Sequence, residues 1–266
     1  MARIWIPLPD RDFEPTEVAV PWRLLTRAGH EVVFATQHGG TTPACDQLLL
    51  RSVVFGKLGA SAEAKRCYAE MQQAPEFVKP ISWRDIEPQS YDGLLIGGGH
   101  AQGMRQLLED DLLRQRVLLF WKLHRPVAAV CHGVLVLART TDPATGHSIL
   151  FSHRTTALVR YLEASAYLLS FWKHGRYYRT YRTYVEDEVR SVLARRSDFR
   201  IGPLVLSTPD TVKDDGSGFA LVDGRYVSAR WPGDAFVFAR KFQTLVEARD
   251  AHRPAPLIER SMLSMA

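Results

Sequence analysis

Short apolar runs alternate along the chain with segments whose apolar residues recur every three or four positions. Arg3-Ile4-Trp5-Ile6-Pro7 reads as an opening strand. Glu17 to Ala28 predicts a helix, with Val18, Leu24 and Leu25 on one face and Gly29 as its stop. Glu31-Val32-Val33-Phe34-Ala35 is the next strand, bounded by Gly29 and the Gly39-Gly40 pair. Residues 41–90 break this rhythm with Pro43, Pro75, Pro80 and Pro88, and read as an insertion over one sheet edge. Tyr91 to Ile96 is a strand running into Gly97-Gly98-Gly99. Residues 104–122 read as one helix with Leu107, Leu108, Leu112 and Leu119 inward. Val127-Ala128-Ala129-Val130 is uninterrupted and apolar, as in a strand buried on both faces.

The second half is less regular. Ser148–Thr156 reads as a strand and Leu158–Trp172 as a helix. Tyr184–Arg195 predicts a helix with Val185, Val189 and Val192 or Leu193 on one face. Ile201–Leu206 and Phe219–Val222 read as strands. Asp223-Gly224 is a hairpin turn leading to a strand at Arg225–Ala229, and Asp234–Ala248 is a closing helix. Strands alternating with helices predict an α/β fold with a mostly parallel sheet and helices on both faces.

Composition narrows the class. The chain has 266 residues, of which 46% are hydrophobic and 24% charged, which excludes wholesale disorder and a disulfide scaffold. Cys45, Cys67 and Cys131 form no CxxC and read as reduced thiols of a cytoplasmic protein. The first apolar run is broken by Pro7 and Pro9, so no secretory signal is expected, and the longest apolar window, Pro126–Ala138, is too short for the roughly 20 residues of a membrane span. Net charge is +5 and the basic residues are scattered, which is weak support for nucleic acid.

The chemistry concentrates in three places. At Val130-Cys131-His132-Gly133 a buried strand ends at a cysteine and a helix begins at once. Small residues at Ala129 and Gly133 let the two arms approach, as in a nucleophile elbow. A helix N-terminus there would favour the thiolate, and the His132 backbone N–H would stabilise an oxyanion. The alternative is a buried structural cysteine. Gly97-Gly98-Gly99-His100 follows a strand end, where α/β ligands collect, and its backbone N–H groups would complete an oxyanion hole; the alternative is a plain turn. Glu17 lies in a first helical turn, where a carboxylate ordinarily complements the helix dipole. The remaining histidines, among them His153, His174 and His252, show no HxH or HExxH spacing, so no metal site is expected.

Taken together these segments resemble the ThiJ/PfpI superfamily, whose fold is that of class I glutamine amidotransferases. Glu17 with its helix, Tyr91–His100, Ala128–Gly133, and Asp223–Ser228 leading into Arg230-Trp231-Pro232-Gly233-Asp234 carry the resemblance. It implies a flavodoxin-like three-layer sandwich over residues 1–249 with a tail at 250–266. The Cys-His adjacency, His100 and the long insert are similar to the larger heat-shock chaperone/glyoxalase III branch. There Cys131 would be the nucleophile, His132 its base, Glu163 the residue orienting the base, and Glu17 a protonated partner of the sulfur. Gly98, Gly99 and His100 would bind substrate or an oxyanion.

The expected activity is cofactor-free conversion of ketoaldehydes such as methylglyoxal to hydroxy acids by a homodimer. The alternatives are a cysteine hydrolase of small amides or isonitriles, and a stress chaperone or redox sensor. An amidotransferase is disfavoured, because no late His-x-Glu occurs. Two features depart from the family. Gly97 stands where the family has proline, and Tyr177–Tyr184 has no counterpart, so that it reads equally as a lid or as a surface contact. Geometry also offers a rival base, because adjacent side chains on a sharp turn usually diverge; His100 would then serve in place of His132.

Overall fold

The computed structural model describes residues 1–51, 53, 59–204, 211 and 216–251. Its centre is a seven-stranded sheet built from β1 (Arg3–Pro7), β2 (Glu31–Thr36), β3 (Ile81–Ser82), β4 (Gly93–Ile96), β5 (Val127–Val130), β6 (Ala220–Asp223) and β7 (Tyr226–Ala229). The strand order is β6-β7-β5-β4-β1-β2-β3, and all neighbours are parallel except the β6–β7 hairpin. Trp5 of β1 pairs with Val33 of β2 on one side and Leu94 of β4 on the other. The order therefore reverses between β1 and β4, and an open α/β sheet presents its ligand crevice at such a reversal.

Helices cover both faces. Helix α1 (Pro15–Arg27) packs against α2 (Ala62–Met71) and α7 (Ala235–Ala251). On the other side α3 (Asp111–Lys122) and α6 (Val185–Val192) pack against the short α4 (Val134–Arg139), and α5 (Arg160–His174) touches α6. All four residues of β4 and of β5 are buried, as their unbroken apolar sequences require. Among the described residues no helix is long and apolar enough to cross a membrane.

Four expectations are revised. The helix expected over 104–122 is interrupted at Asp110, whose backbone is extended and whose carboxylate caps the N–H of Leu113 at 2.7 Å. The new start shifts the helical phase: Leu113, Val117 and Phe120 point inward and Leu119 is exposed. The 41–90 segment does more than cover an edge, since it supplies α2 as a packing partner of α1 and β3 as the edge strand. Ser148–Thr156 makes only short pairings, at His147–Ser148 and Thr155. Of Ile201–Leu206, the described part is not a strand, and residues 205 and 206 lie outside the described residues, as does most of the expected tail.

The hairpin is tied to the last helix by a buried ion pair. Arg230 Nε and Nη2 each donate to Asp234 at 2.9 Å, and Asp234 Oδ1 also accepts from the Phe219 backbone N–H at 2.8 Å. Both side chains are almost wholly buried. Removing one partner strands the other charge in the interior. Asp234→Ala is therefore expected to lower unfolding stability by about 3–5 kcal/mol, read as a fall in urea midpoint; an unchanged midpoint would show the pair to be dispensable.

Candidate active site

Cys131 caps β5 with φ at +56°, one of the few non-glycine residues in the left-handed region. That conformation costs about 1–2 kcal/mol for a residue with a Cβ. Two glycines make it feasible. A Cβ on Gly133 would lie 2.5 Å from the Gly97 carbonyl oxygen and 2.7 Å from that of Ile96. One on Gly98 would lie 2.8 Å from Cys131 Cβ and 2.8 Å from Glu17 Oε2. The expected sharp strand-to-helix turn is present, with its first turn a tight Cys131–Gly133 segment before α4.

Side chains from three elements converge there. Cys131 Sγ lies 3.5 Å from His132 Nδ1, so the adjacent imidazole does reach the sulfur despite the sharp turn. His100 approaches from the end of β4, its ring edge-on to His132 at 4.9 Å between centroids. Glu17, on α1, accepts the Gly98 N–H through Oε2 at 2.9 Å and engages the Cys131 thiol, while its buried Oε1 has no other partner. Glu14 caps the same helix, accepting from the Glu17 N–H at 2.7 Å and the Thr16 hydroxyl at 3.0 Å. The Gly98 N–H is thus committed to Glu17 rather than free for an oxyanion, and Gly99 is wedged against the Asp12 carbonyl.

Burial sets the charge states. Cys131 and Glu17 are 0% exposed and His132 1%. Desolvation pushes the Cys131 thiol well above its ordinary value, and the neighbouring Glu17 pushes it further; the His132 backbone N–H acts the other way. The helix N-terminus was expected to favour a thiolate, but loss of water outweighs it, so the resting group is a thiol. His132 is held well below the usual histidine range, first by burial and then by the positive charge of its neighbours. Burial brings His100 down to about 4 and takes Glu14 up to about 7. Glu17 is raised well above the carboxylate range by burial and then by Glu14. The shifts of the thiol, the imidazoles and the Glu17 carboxyl all run toward the uncharged form.

Glu163 is the clearest correction. Its two oxygens accept from Arg179 Nη1 at 2.8 Å and from the Val185 N–H at 2.9 Å, so neither orients His132. Burial lifts this carboxyl to about 7, opposed by the Val185 N–H and Arg179. The partner of His132 Nε2 is Thr180 Oγ1 at 3.3 Å, whose own proton goes to the His100 carbonyl oxygen at 2.5 Å. That leaves the Thr180 oxygen as acceptor, places a proton on His132 Nε2 and turns the Nδ1 lone pair toward the sulfur. No sequence spacing pointed to Thr180, because it lies in the segment without a family counterpart.

This segment is a strap over the site. Tyr177 Oη donates to Asp46 Oδ1 at 3.3 Å, the Tyr178 ring meets His100 edge-on at 6.1 Å, and Gln102 Nε2 donates to the Arg179 carbonyl at 3.0 Å. Arg179 also stacks on Tyr184 at 3.7 Å. Cys45 and Cys67 are also buried, and burial raises both thiols.

Comparison with known proteins agrees with this architecture. An uncharacterized protein of Schizosaccharomyces pombe is 27% identical over 251 residues, spanning 92% of this chain and 84% of its own length. The deglycase PfpI of Pyrococcus furiosus is 20% identical over 236 residues, covering 89% of this chain and 95% of its own. The crystal structure of glyoxalase III from Candida albicans superposes with a TM-score of 0.63 at 19% identity, covering 92% of this chain and 97% of that one. A family model described as ThiJ/PfpI family-like matches residues 8–203. With that match and the α/β sandwich in place, the chain belongs to the ThiJ/PfpI superfamily.

Proposed function

We propose that this protein is a cysteine-dependent enzyme that converts small reactive ketoaldehydes to hydroxy acids without a cofactor, in the manner of a glyoxalase III. The observation carrying the reading is the 3.5 Å contact between the Cys131 thiol and His132 Nδ1 at the strained elbow. Relatives named as glyoxalase III and deglycases link the superfamily to reactive carbonyls.

The chemistry needs only proton transfers and water. The Cys131 sulfur bonds to the aldehyde carbon of a methylglyoxal-type substrate. Its proton passes to His132 Nδ1 and on to the former carbonyl oxygen, giving a hemithioacetal. His132 then takes the hydrogen from that carbon as a proton and returns one to the neighbouring carbon, through an enediol. The ketone becomes a carbinol and the sulfur-bearing carbon a thioester. Water cleaves the thioester, releasing the hydroxy acid and restoring the thiol. A neutral thiol–imidazole pair suits this sequence, because the sulfur becomes nucleophilic only as its proton moves. Glu17, carrying its own proton, donates through Oε1 to the thiolate as it forms. Thr180 is a positioning residue that holds the reactive tautomer, and the His132 backbone N–H faces the developing charge.

A second reading, a stress chaperone, is favoured by one feature. Helix α5 exposes Leu168, Leu169, Phe171 and Trp172 at 64%, 54%, 50% and 57%. Contiguous apolar exposure of this kind suits binding to unfolded clients. The redox-sensor version is disfavoured by the enclosed, protonated thiol, which oxidises slowly.

Lactate formation from methylglyoxal should fall to background in Cys131→Ser and by about 10²–10⁴ in His132→Ala. A Cys131→Ser variant with wild-type turnover would refute the assignment. Thr180→Val should lower kcat about 10-fold with little change in KM, the loss of roughly one oriented hydrogen bond. A merely structural threonine would leave kcat intact once the fold is verified. Glu17 gives a pH signature. Its folded pKa lies above the unfolded value, so its contribution to stability is full below the unfolded value of about 4.5 and is lost as pH rises through the folded one. Glu17→Gln should therefore be more stable than wild type at pH 8, with the advantage shrinking toward pH 5; a pH-independent difference in urea midpoint would contradict a protonated Glu17.

A further inference from the structure

Three soft or borderline ligands meet at the elbow, from residues whose spacing carries no metal motif. One nitrogen each from His100 and His132 and the sulfur of Cys131 lie within 4.8 Å of one another. His100 Nε2 is buried and accepts or donates no hydrogen bond, and it makes no contact that the proton transfers above require. Glu17, which is 0% exposed, engages the same sulfur, and its Oε1 has no other partner. Unpartnered polar atoms are rare in a folded interior, and a buried imidazole nitrogen without a hydrogen bond in a cluster with a thiol and a second imidazole calls for a guest. We propose that His100, Cys131 and His132 form an N₂S site for a thiophilic divalent cation of the zinc class, with Glu17 Oε1 placed as the fourth donor, and that occupation blocks the nucleophile.

The dimensions and chemistry fit this cation. Zinc takes sulfur at about 2.3 Å and imidazole nitrogen at about 2.0–2.1 Å, in tetrahedral sites, so its ligands stand roughly 3.3–3.7 Å apart. The cluster must contract by about 1 Å. Cys131 and His132 are locked in the elbow, whereas the described contacts of the His100 ring are edge-on contacts with His132 and Tyr178, so His100 supplies the movement. Hard oxygen-seeking cations such as magnesium are excluded by the donor set. On binding, the Cys131 S–H and Glu17 Oε1–H bonds break, a metal–sulfur and a metal–oxygen bond form, and both protons leave to solvent, with no change of oxidation state. Binding does not depend on the proposed carbonyl activity; the blocking clause does.

The test is titration of the full chain with cobalt(II) as a spectroscopic zinc substitute, followed by zinc(II) competition. Expected is saturation near one equivalent, with thiolate-to-cobalt charge-transfer absorption and the intense visible bands of a tetrahedral ion. Cys131→Ser should abolish the charge-transfer absorption while a Cys45→Ala/Cys67→Ala double variant keeps it. His100→Ala and His100→Gln, each verified as folded by circular dichroism, should weaken binding at least 10-fold, since loss of even an outer-shell partner costs about 10–100-fold. Wild-type affinity in both His100 variants, or charge-transfer absorption persisting in Cys131→Ser, overturns the site. For the blocking clause, zinc should suppress turnover in the wild type and a chelator should restore it; turnover unaffected at zinc saturation overturns that clause and leaves the spectroscopic result standing on its own.

Discussion

The left-handed turn at Cys131 is the constraint on which the site depends. A cysteine in that conformation is held only because β4 and β5 run parallel as neighbours and bring the Ile96 and Gly97 carbonyls against Gly133. The same close approach puts Gly98 between Cys131 and Glu17. Sheet pairing thus supplies the force that keeps a locally unfavourable backbone in place, and the strain delivers the sulfur to the crevice at the sheet's reversal point. Glu17 arrives by an independent route, through α1 after β1, and is pinned by its bond to the Gly98 backbone.

Enclosure is the second organising effect, and it decides the chemistry. Removing water from a thiol, two imidazoles and a carboxyl favours the uncharged form of each. The outcome is a dry neutral centre instead of a thiolate–imidazolium pair. Charge is kept at the margin, where Arg179 and Glu163 pair beneath the strap with side chains 9% and 1% exposed. Breaking such a pair leaves a buried charge uncompensated, so the pair anchors residues 175–184 over the cluster. The strap covers the sulfur through the Tyr177, Gln102 and Arg179 contacts. Thr180 belongs to the same strap and also holds His132, so closing the site and setting its tautomer are one event.

Much of the fold was legible in the sequence because its signals are local. Unbroken apolar runs marked β4 and β5, Asp223-Gly224 marked the hairpin, and the Val185, Val189 and Leu193 spacing marked the buried face of α6. Cys131 and His132 could be singled out because a strand that ends at a cysteine just before Gly133 points to a sharp turn, whereas the role of Glu17 came only with the family resemblance. Where a single side chain reset the local structure, pattern reading failed: the Asp110 cap broke the expected helix and turned Leu119 outward.

By itself the sequence determined the α/β alternation and pointed to a sharp turn at Cys131, since both follow from periodicity or steric need within a few positions; the role of Glu17 came with the family resemblance. Only the tertiary structure decided their protonation, their partners and their cover. The sign of the Cys131 shift depends on how much water the whole fold removes, which outweighs the helix terminus visible locally. The family resemblance pairs Glu163 with His132, yet Glu163 bonds to Arg179 and Val185, and Thr180, 48 residues from His132, takes the imidazole instead. Hydrogen bonds between side chains so far apart in sequence are fixed by packing, which brings the strap back over the sheet, and no local spacing encodes that path.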